Sequence, residues 1–323
     1  MAINKRLSNQ LLMERNDAIT QPKIGFIGFG EVTYHMLKGL HQNGVKGFHI
    51  YSRPVSDPEK IEYHRKRAEQ VEANLSFSLK EIIDNSDIII SSVRGDTSLE
   101  VAEQAAKFLK PGQIFADLNN AIPSVKQRVS KIVNSKGAKF VDIALLELPV
   151  QVKHKALMYI SGDGGLDFIQ TMQQYDLNLE FISEEPGKAA MIKVLVNIFM
   201  KGLQGVYLEF VISAQKAGVS LDLLEPLLVK PVLNLPREKD MAFWIIRGAL
   251  LASRKKNEMN EALEMMRELN VDPIILKATI ERLSRVAQFN LNQYFDATLP
   301  VDEYLKIIDK MLQISEEENI ILQ

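Results

Sequence analysis

Seven residues constrain this chain most. Ile24-Gly25-Phe26-Ile27-Gly28-Phe29-Gly30 joins a short apolar run to two glycines spaced by one residue. The run has the length and β-branched content of a parallel strand buried on both faces. Beyond Gly30, Val32, Met36, Leu37 and Leu40 recur at helical spacing until Asn43-Gly44 stops them. A strand, a glycine turn and a helix in that order let backbone N–H groups and the positive end of a helix meet a pyrophosphate. A ligand-free βα turn accounts for the same two glycines, so the weight rests on position, at the first strand of an alternating series. Thr33 stands where the fingerprint has its third glycine, which predicts a helix held slightly further from the sheet.

The alternation continues. Phe48 to Tyr51 reads as a strand, Pro58 to Val71 as a charged helix, Asp87 to Val93 as a strand and Leu99 to Leu109 as a helix. Gln113 to Leu118, Lys139 to Ile143 and Leu157 to Ser161 read as strands, with a helix at Val125 to Val133. This predicts an α/β fold, a Rossmann-like doubly wound domain over residues 23–185, preceded by an arm at residues 1–22. Past Pro186 the strand signal stops, which predicts an all-α C-terminal domain over residues 186–323 for substrate binding and dimerisation. Its opening helix is apolar on most faces (Met191, Ile192, Val194, Leu195, Val196, Ile198, Phe199), as a helix buried between domains or subunits would be. Lys193, Asn197, Lys201 and Glu209 interrupt it too often for a membrane span. The segments 221–228, 242–253, 260–269 and 273–286 read as helices, with joints at Pro231, Pro236 and Asn270 to Pro273.

Composition narrows the function. Lys+Arg 39 against Asp+Glu 41 leaves a formal charge of −2, with no strong field to draw nucleic acid or an anionic membrane. The chain has no cysteine, which excludes disulfides and thiolate chemistry and fits a reducing compartment, the cytoplasm by default. His35, His41, His49, His64 and His154 show no zinc spacing, so no metal is expected.

The end of the second strand bears on the choice of dinucleotide. An acidic residue there would repel a 2′-phosphate, but Tyr51-Ser52-Arg53-Pro54 offers a hydroxyl and a guanidinium. NADP is therefore expected, with NAD possible. The cofactor contacts are assigned to Gly28, Phe29, Gly30, Glu31, Val32, Ser52 and Arg53, with Val93 and Arg94 at the end of a later strand. Lys60, Arg65, Lys66 and Arg67 read as a solvated helix face.

Lys193 and Asn197 are four residues apart and so project from one helix face. A lysine in so apolar a run is snorkelling, salt-bridged or held for chemistry, because burying an unpaired ammonium costs several kcal/mol. A nicotinamide enzyme needs a group to exchange a proton with the substrate while hydride moves, and a lysine with a pKa lowered by burial does so near neutral pH.

Four segments, taken together, resemble the β-hydroxyacid dehydrogenase and 6-phosphogluconate dehydrogenase superfamily. They are Gly25 to Gly30, Asp117-Leu118-Asn119-Asn120-Ala121-Ile122-Pro123, Phe140-Val141-Asp142, and Gly187 to Asn197. The resemblance implies that Lys193 is the general acid/base and that Asn197 helps orient the substrate. It also implies that Asn119 and Asn120, standing where the family usually has Ser-Thr, bind the substrate. The run 247–287 is similar to a less characterised branch with a distinctive helical C-terminal domain and no firm substrate. Leu146-Glu147-Leu148-Pro149 replaces the family's Ser-Gly-Gly turn, so the substrate end is altered; His154-Lys155 after it reads as a solvated pair. Arg247 and Arg254, seven apart on one expected helix face, are candidates for a substrate carboxylate or phosphate.

The expectation is an NADP-dependent dehydrogenase acting on a small, anionic hydroxy acid or related carbonyl, as a homodimer without nucleic-acid or membrane partners. An imine reductase is the alternative enzyme. A catalytically silent NADP(H) sensor or scaffold is the alternative of another class.

Overall fold

A computed structural model describes residues 21–53, 57–220, 222–224, 226–227, 237–296, 299–300 and 303–318. Most of the arm assigned to residues 1–22 lies outside them, as do Pro54 and the joints at Pro231 and Pro236. The chain forms two compact units, residues 1–198 and 199–323.

The first unit holds an eight-stranded sheet in the order β3-β2-β1-β4-β5-β6-β7-β8 among the described residues. The strands are β1 (Ile24–Ile27), β2 (His49–Tyr51), β3 (Asn74–Ser76), β4 (Ile88–Ser91), β5 (Ile114–Asp117), β6 (Lys139–Leu145), β7 (Met158–Ser161) and β8 (Leu179–Ser183). All neighbours are parallel except β6 and β7, which pair antiparallel from Asp142↔Ser161 to Leu145↔Met158. The helices are α1 (Glu31–Gln42), α2 (Pro58–Glu69), α3 (Leu79–Asp84), α4 (Ser98–Ala105), α5 (Pro123–Asn134) and α6 (Gly165–Met172). This is the expected doubly wound architecture, and the reason is visible in the side chains. Ile24, Phe26, Ile88, Ile90 and Ala116 pack into one buried cluster, whereas Ile27, Ile89, Phe115 and Phe140 pack into another. Alternate residues of central strands feed opposite faces, so both faces need a layer of helices.

The sequence pattern misses four short elements: β3, α3, α6 and β8. β3 has three residues, too few to show a period, and β8 is a partly exposed strand at the sheet edge. The reversed direction of β7 is also invisible in the pattern. It follows from a connection that contains one helical turn, Pro149–Val152, and no crossover helix.

α7 (Lys188–Lys216) runs through the boundary between the units. In the second unit, α8 (Arg237–Leu250), α10 (Ile274–Gln288) and α11 (Tyr304–Glu318) meet at a core of Ile246, Leu250, Phe289, Leu291, Ile307 and Ile314, and α9 (Ala252–Glu268) packs on α10. The unit is helical as expected, and the joint at Asn270 to Pro273 is present, with Asn270 at φ 53°. α10 has Pro273 at its N-cap and so no side-chain cap of its own. Glu209 of α7 supplies one, accepting from the N–H groups of Ile275 at 2.7 Å and Leu276 at 2.9 Å. The expected helix over 242–253 spans the junction of α8 and α9 at Leu251, across which Leu251 N–H donates to Arg247 O at 3.3 Å and Lys255 N–H to Leu251 O at 2.9 Å. Among the described residues no helix is long and apolar enough to cross a membrane.

His154 corrects the reading of His154-Lys155 as a solvated pair. It is 4% exposed and seals α1, where a Cβ on Gly39 would overlap its Nδ1. Its Nε2 faces Asn43 Nδ2 at 3.0 Å. Burial holds its pKa below the ordinary histidine value, and Lys155 and Lys153 push the same way against the pull of Asp176. The neutral ring is therefore the folded form. Its contribution to stability is complete above about pH 6.5 and is lost as pH falls through the lower folded value. His49 and His64 are depressed by burial as well. The urea midpoint is expected to fall between pH 7 and pH 5, and His154→Gln to flatten part of that fall; an unchanged slope would exclude His154 as a source.

Candidate active site

The carboxyl ends of β1, β4, β5 and β6 lie side by side, and the loops leaving them are locked together by backbone contacts. Gly28 N–H donates to Tyr51 O at 2.9 Å, Ser92 N–H to Ile27 O at 2.8 Å, and Leu118 N–H to Ser91 O at 2.9 Å. Gly28 has φ +101°, and a Cβ there would overlap the Ser92 carbonyl oxygen. A Cβ on Gly95, after β4, would overlap the Asn120 carbonyl oxygen after β5. Gly187, at φ +92°, opens α7 against Pro123, whose carbonyl oxygen would sit 3.0 Å from a Cβ. The glycine loop, the loops after β4 and β5, and the start of α7 therefore form one edge.

Gly30 differs from these glycines. It caps α1 in extended conformation with no side-chain cap, and apart from its chain neighbours no atom of the described residues lies within 4 Å of where its Cβ would be. Packing of the chain does not require a glycine here, whereas a ligand approaching the first N–H groups of α1 does. These residues fit a dinucleotide's pyrophosphate. Thr33 is fully buried, and its hydroxyl has no hydrogen-bond partner.

Glu31, in the first turn of α1, pairs with Arg67 of α2 at 2.7 Å. Arg67 is buried, which corrects its reading as part of a solvated face; Lys60, Arg65 and Lys66 are exposed. Its guanidinium stacks on Tyr34, 3.9 Å from the ring centroid, with Tyr63 and Phe29 at 5.0 and 5.5 Å. The hydrogen bond from Arg67 holds the Glu31 carboxyl below the usual range, against a smaller effect of burial. A carboxylate beside a phosphate site would repel the ligand, and Arg67 offsets that charge. The signal was its spacing, four residues before buried Val71.

At the carboxyl end of β2 Ser52 is buried and Arg53 is exposed. After β4, Val93 is half-buried, and Arg94 is exposed and paired with Asp96. Asn120 is exposed, but Asn119 is 4% exposed with its amide turned inward. Asn119 Oδ1 accepts from Val93 N–H, and its Nδ2 faces Ser91 Oγ at 3.1 Å and Ser98 Oγ at 3.3 Å. Asn119 thus orders the loop, while Asn120 presents an open amide.

Behind these loops lies a buried charge cluster that sequence reasoning missed. Lys126 of α5 is 0% exposed, with Nζ 3.2 Å from both Asp117 Oδ1 and Asp142 Oδ1. It donates to Asp117 O at 2.6 Å. Asp117 accepts from Asn119 N–H at 2.9 Å and Ser98 Oγ at 2.8 Å. Asp142 Oδ2 accepts from Ala190 N–H at 3.0 Å and Ser161 Oγ at 3.1 Å, while Ser161 Oγ accepts from Ala189 N–H at 3.1 Å. The N-terminus of α7 is thus capped by the sheet. The missed signal was Lys126 on the same helical stripe as buried Val129 and Val133.

Lys193 stands three residues beyond Ala190 and Asn197 one turn later; both are half-buried. Around them Met191, Leu195, Val196 and Phe199 are exposed among the described residues. Arg247 and Arg254 are exposed and lie on α8 and α9, so the single-helix spacing that paired them does not hold. Among the described residues no group of three or more histidine, aspartate or glutamate side chains is placed to hold a metal ion.

Residues 23–158 match the family model for the NAD binding domain of 6-phosphogluconate dehydrogenase. A 28.5 kDa protein from the 7S RNA 5′ region of Methanothermus fervidus is 28% identical over 266 residues, 80% of this chain and 96% of that protein. The NADH-dependent oxidoreductase ucdB of Aspergillus ustus is 24% identical over 69% of this chain and 75% of its own length. The solved imine reductase of Myxococcus stipitatus, in complex with NADP+, superposes with a TM-score of 0.69 at 16% identity, covering 83% of this chain and 94% of that one. Residues 23–158 therefore match the NAD binding domain of 6-phosphogluconate dehydrogenase, and the proteins that the chain is similar to include nicotinamide-dependent oxidoreductases.

Proposed function

We propose that this protein is an NADP-dependent reductase or dehydrogenase that interconverts a small hydroxy acid, or a related carbonyl compound, with Lys193 as general acid/base. One observation carries the reading: the ligand-accessible glycine loop, the loops after β4 and β5, and the start of the helix bearing Lys193 share one edge of the sheet. When bound, the dinucleotide supplies or accepts hydride at its nicotinamide ring. Gly28 and Phe29 make the tight turn, the N–H groups of Gly30, Glu31 and Val32 would hold its pyrophosphate, Val93 and Arg94 would flank it, and Ser52 and Arg53 would hold its adenosine end. Lys193 exchanges a proton with the substrate oxygen, and Asn197, on the same helix face, and Asn120 orient that substrate. Arg247 and Arg254 supply cations of the helical unit for an anionic substrate group. A second copy covers Met191, Leu195, Val196 and Phe199, making a homodimer.

A second reading, imine reduction, has its own support. Ile122, Leu148 and Val150 are exposed on the loops after β5 and β6, where the superfamily's small-residue turn is replaced. Apolar side chains there suit an uncharged imine better than a carboxylate. The experiment is a panel of hydroxy acids, aldehydes and cyclic imines, followed by the absorbance of reduced nicotinamide. Turnover of an imine alone selects the second reading. Binding of NADPH with no turnover across the panel rejects both and leaves a cofactor-binding sensor or scaffold.

The cofactor preference has a separate test. Arg53→Asp is expected to weaken NADPH binding at least tenfold more than NADH binding, because the 2′-phosphate loses a cation and gains an anion. Fluorescence titration of both cofactors measures it, and equal losses would show that Arg53 does not meet the phosphate.

A further inference from the structure

We propose that Lys126 is a positioning residue for the reaction: its buried ammonium joins the loop of Asn119 and Val93 to the first turn of α7, and so sets the placement of Lys193. The path is continuous, running from Val93 N–H through Asn119, Asp117, Lys126 Nζ and Asp142 to Ala190 N–H. Its consequence for catalysis rests on the reading of Lys193 given above; the path itself does not.

Stability alone does not explain such a cluster. Burying three charged groups is costly, and well-packed apolar residues of similar volume often serve the fold as well or better. What apolar packing cannot do is aim individual N–H groups. Asp142 Oδ2 is occupied by Ala190 and Ser161, while Oδ1 has the ammonium at 3.2 Å and no hydrogen bond. Lys126 thus holds the Asp142 carboxylate oriented. Two carboxylates and one ammonium leave an excess negative charge, which the positive end of a 29-residue helix offsets. Ala190 and Lys193 are three residues apart, neighbours on one helix face, so a shift of the first turn is passed directly to the amine. A displacement of about 1 Å in a reacting group can cost on the order of 100-fold in rate.

The test is hydrogen–deuterium exchange on the full-length chain, with acylation of Lys193 by acetic anhydride read by mass spectrometry against exposed Lys131. Lys126→Met is expected to raise exchange at least tenfold in both the 118–122 and 187–193 peptides, with the β1 and β4 peptides unchanged. Asp142→Asn is expected to loosen only 187–193 and to change Lys193 acylation at least threefold. Ser98→Ala is expected to loosen only 118–122 and to leave Lys193 acylation as it was. A uniform rise across the sheet, a Lys126→Met effect confined to one side, or unchanged acylation in Asp142→Asn would each overturn the proposal. If Lys126→Met does not fold, the other two variants decide it. Retained turnover in Lys193→Ala would remove the catalytic role of that lysine and leave the exchange result standing, so the two failures are distinct.

Discussion

Replacing Lys193 by alanine is expected to lower kcat by about 10²- to 10⁴-fold, the usual contribution of a positioned general acid or base, with NADPH affinity unchanged. The separation follows from placement. The glycine loop belongs to β1 and α1, whereas Lys193 lies on α7 beyond the capped residues Ala189 and Ala190. Lys193→Arg is not expected to rescue turnover, because a guanidinium keeps its proton throughout the working pH range and its planar fork does not match a single amine. Steady-state rates on the substrates the parent turns over, with fluorescence titration of NADPH, measure both quantities. Parental kcat in Lys193→Ala would exclude proton transfer by this residue.

Gly28→Ala and Gly30→Ala are expected to separate folding from cofactor binding. At Gly28, φ +101° is unfavourable for any residue with a Cβ, at a cost of about 1–3 kcal/mol, and the added methyl overlaps the Ser92 carbonyl oxygen. The backbone has little room to relax, because Gly28 and Ser92 both extend the strand hydrogen bonding. Gly28→Ala should therefore lower Tm and weaken NADPH binding more than 100-fold. Gly30 has φ −80° and open space around the position of a Cβ. Its alanine variant should fold with an unchanged Tm and still bind NADPH at least tenfold more weakly, because the methyl occupies space left for the ligand. Thermal melts with cofactor titrations check both, and parental binding in Gly30→Ala would show that the cofactor does not approach that turn.

Much of the first unit was legible because its elements obey one period at a time. Ile24 to Ile27, Ile88 to Ser91 and Ile114 to Asp117 are short runs buried on both faces, and the helices between them carry apolar stripes. The candidate site residues read from the sequence are local in the same sense. Gly28 and Gly30 adjoin their strand and helix, and Lys193 and Asn197 share one helix face. Residues that act across the fold were not legible. Arg67, His154 and Lys126 are polar residues that a sequence reading assigns to solvent. Each is buried by partners that are distant in sequence: Glu31 for Arg67, Gly39 and Asn43 for His154, and Asp117 and Asp142 for Lys126. Arg247 and Arg254 were paired as if on one helix, but the junction between α8 and α9 falls between them at Leu251, three residues after Gly248.

The order of apolar, glycine and helix-forming residues determined that the chain would form a doubly wound sheet with a dinucleotide turn on its first strand, followed by helices. Those preferences act within a few residues and need no distant partner. Tertiary structure alone decided which polar side chains were withdrawn from water and what they would hold. It turned Asn119 inward and Asn120 outward, set Arg67 against the acidic residue of the cofactor loop, and tied α7 to the sheet through Asp142. A buried charge is tolerable only when another part of the chain brings an opposite charge or a hydrogen bond to it, and that meeting is a property of the fold rather than of any segment.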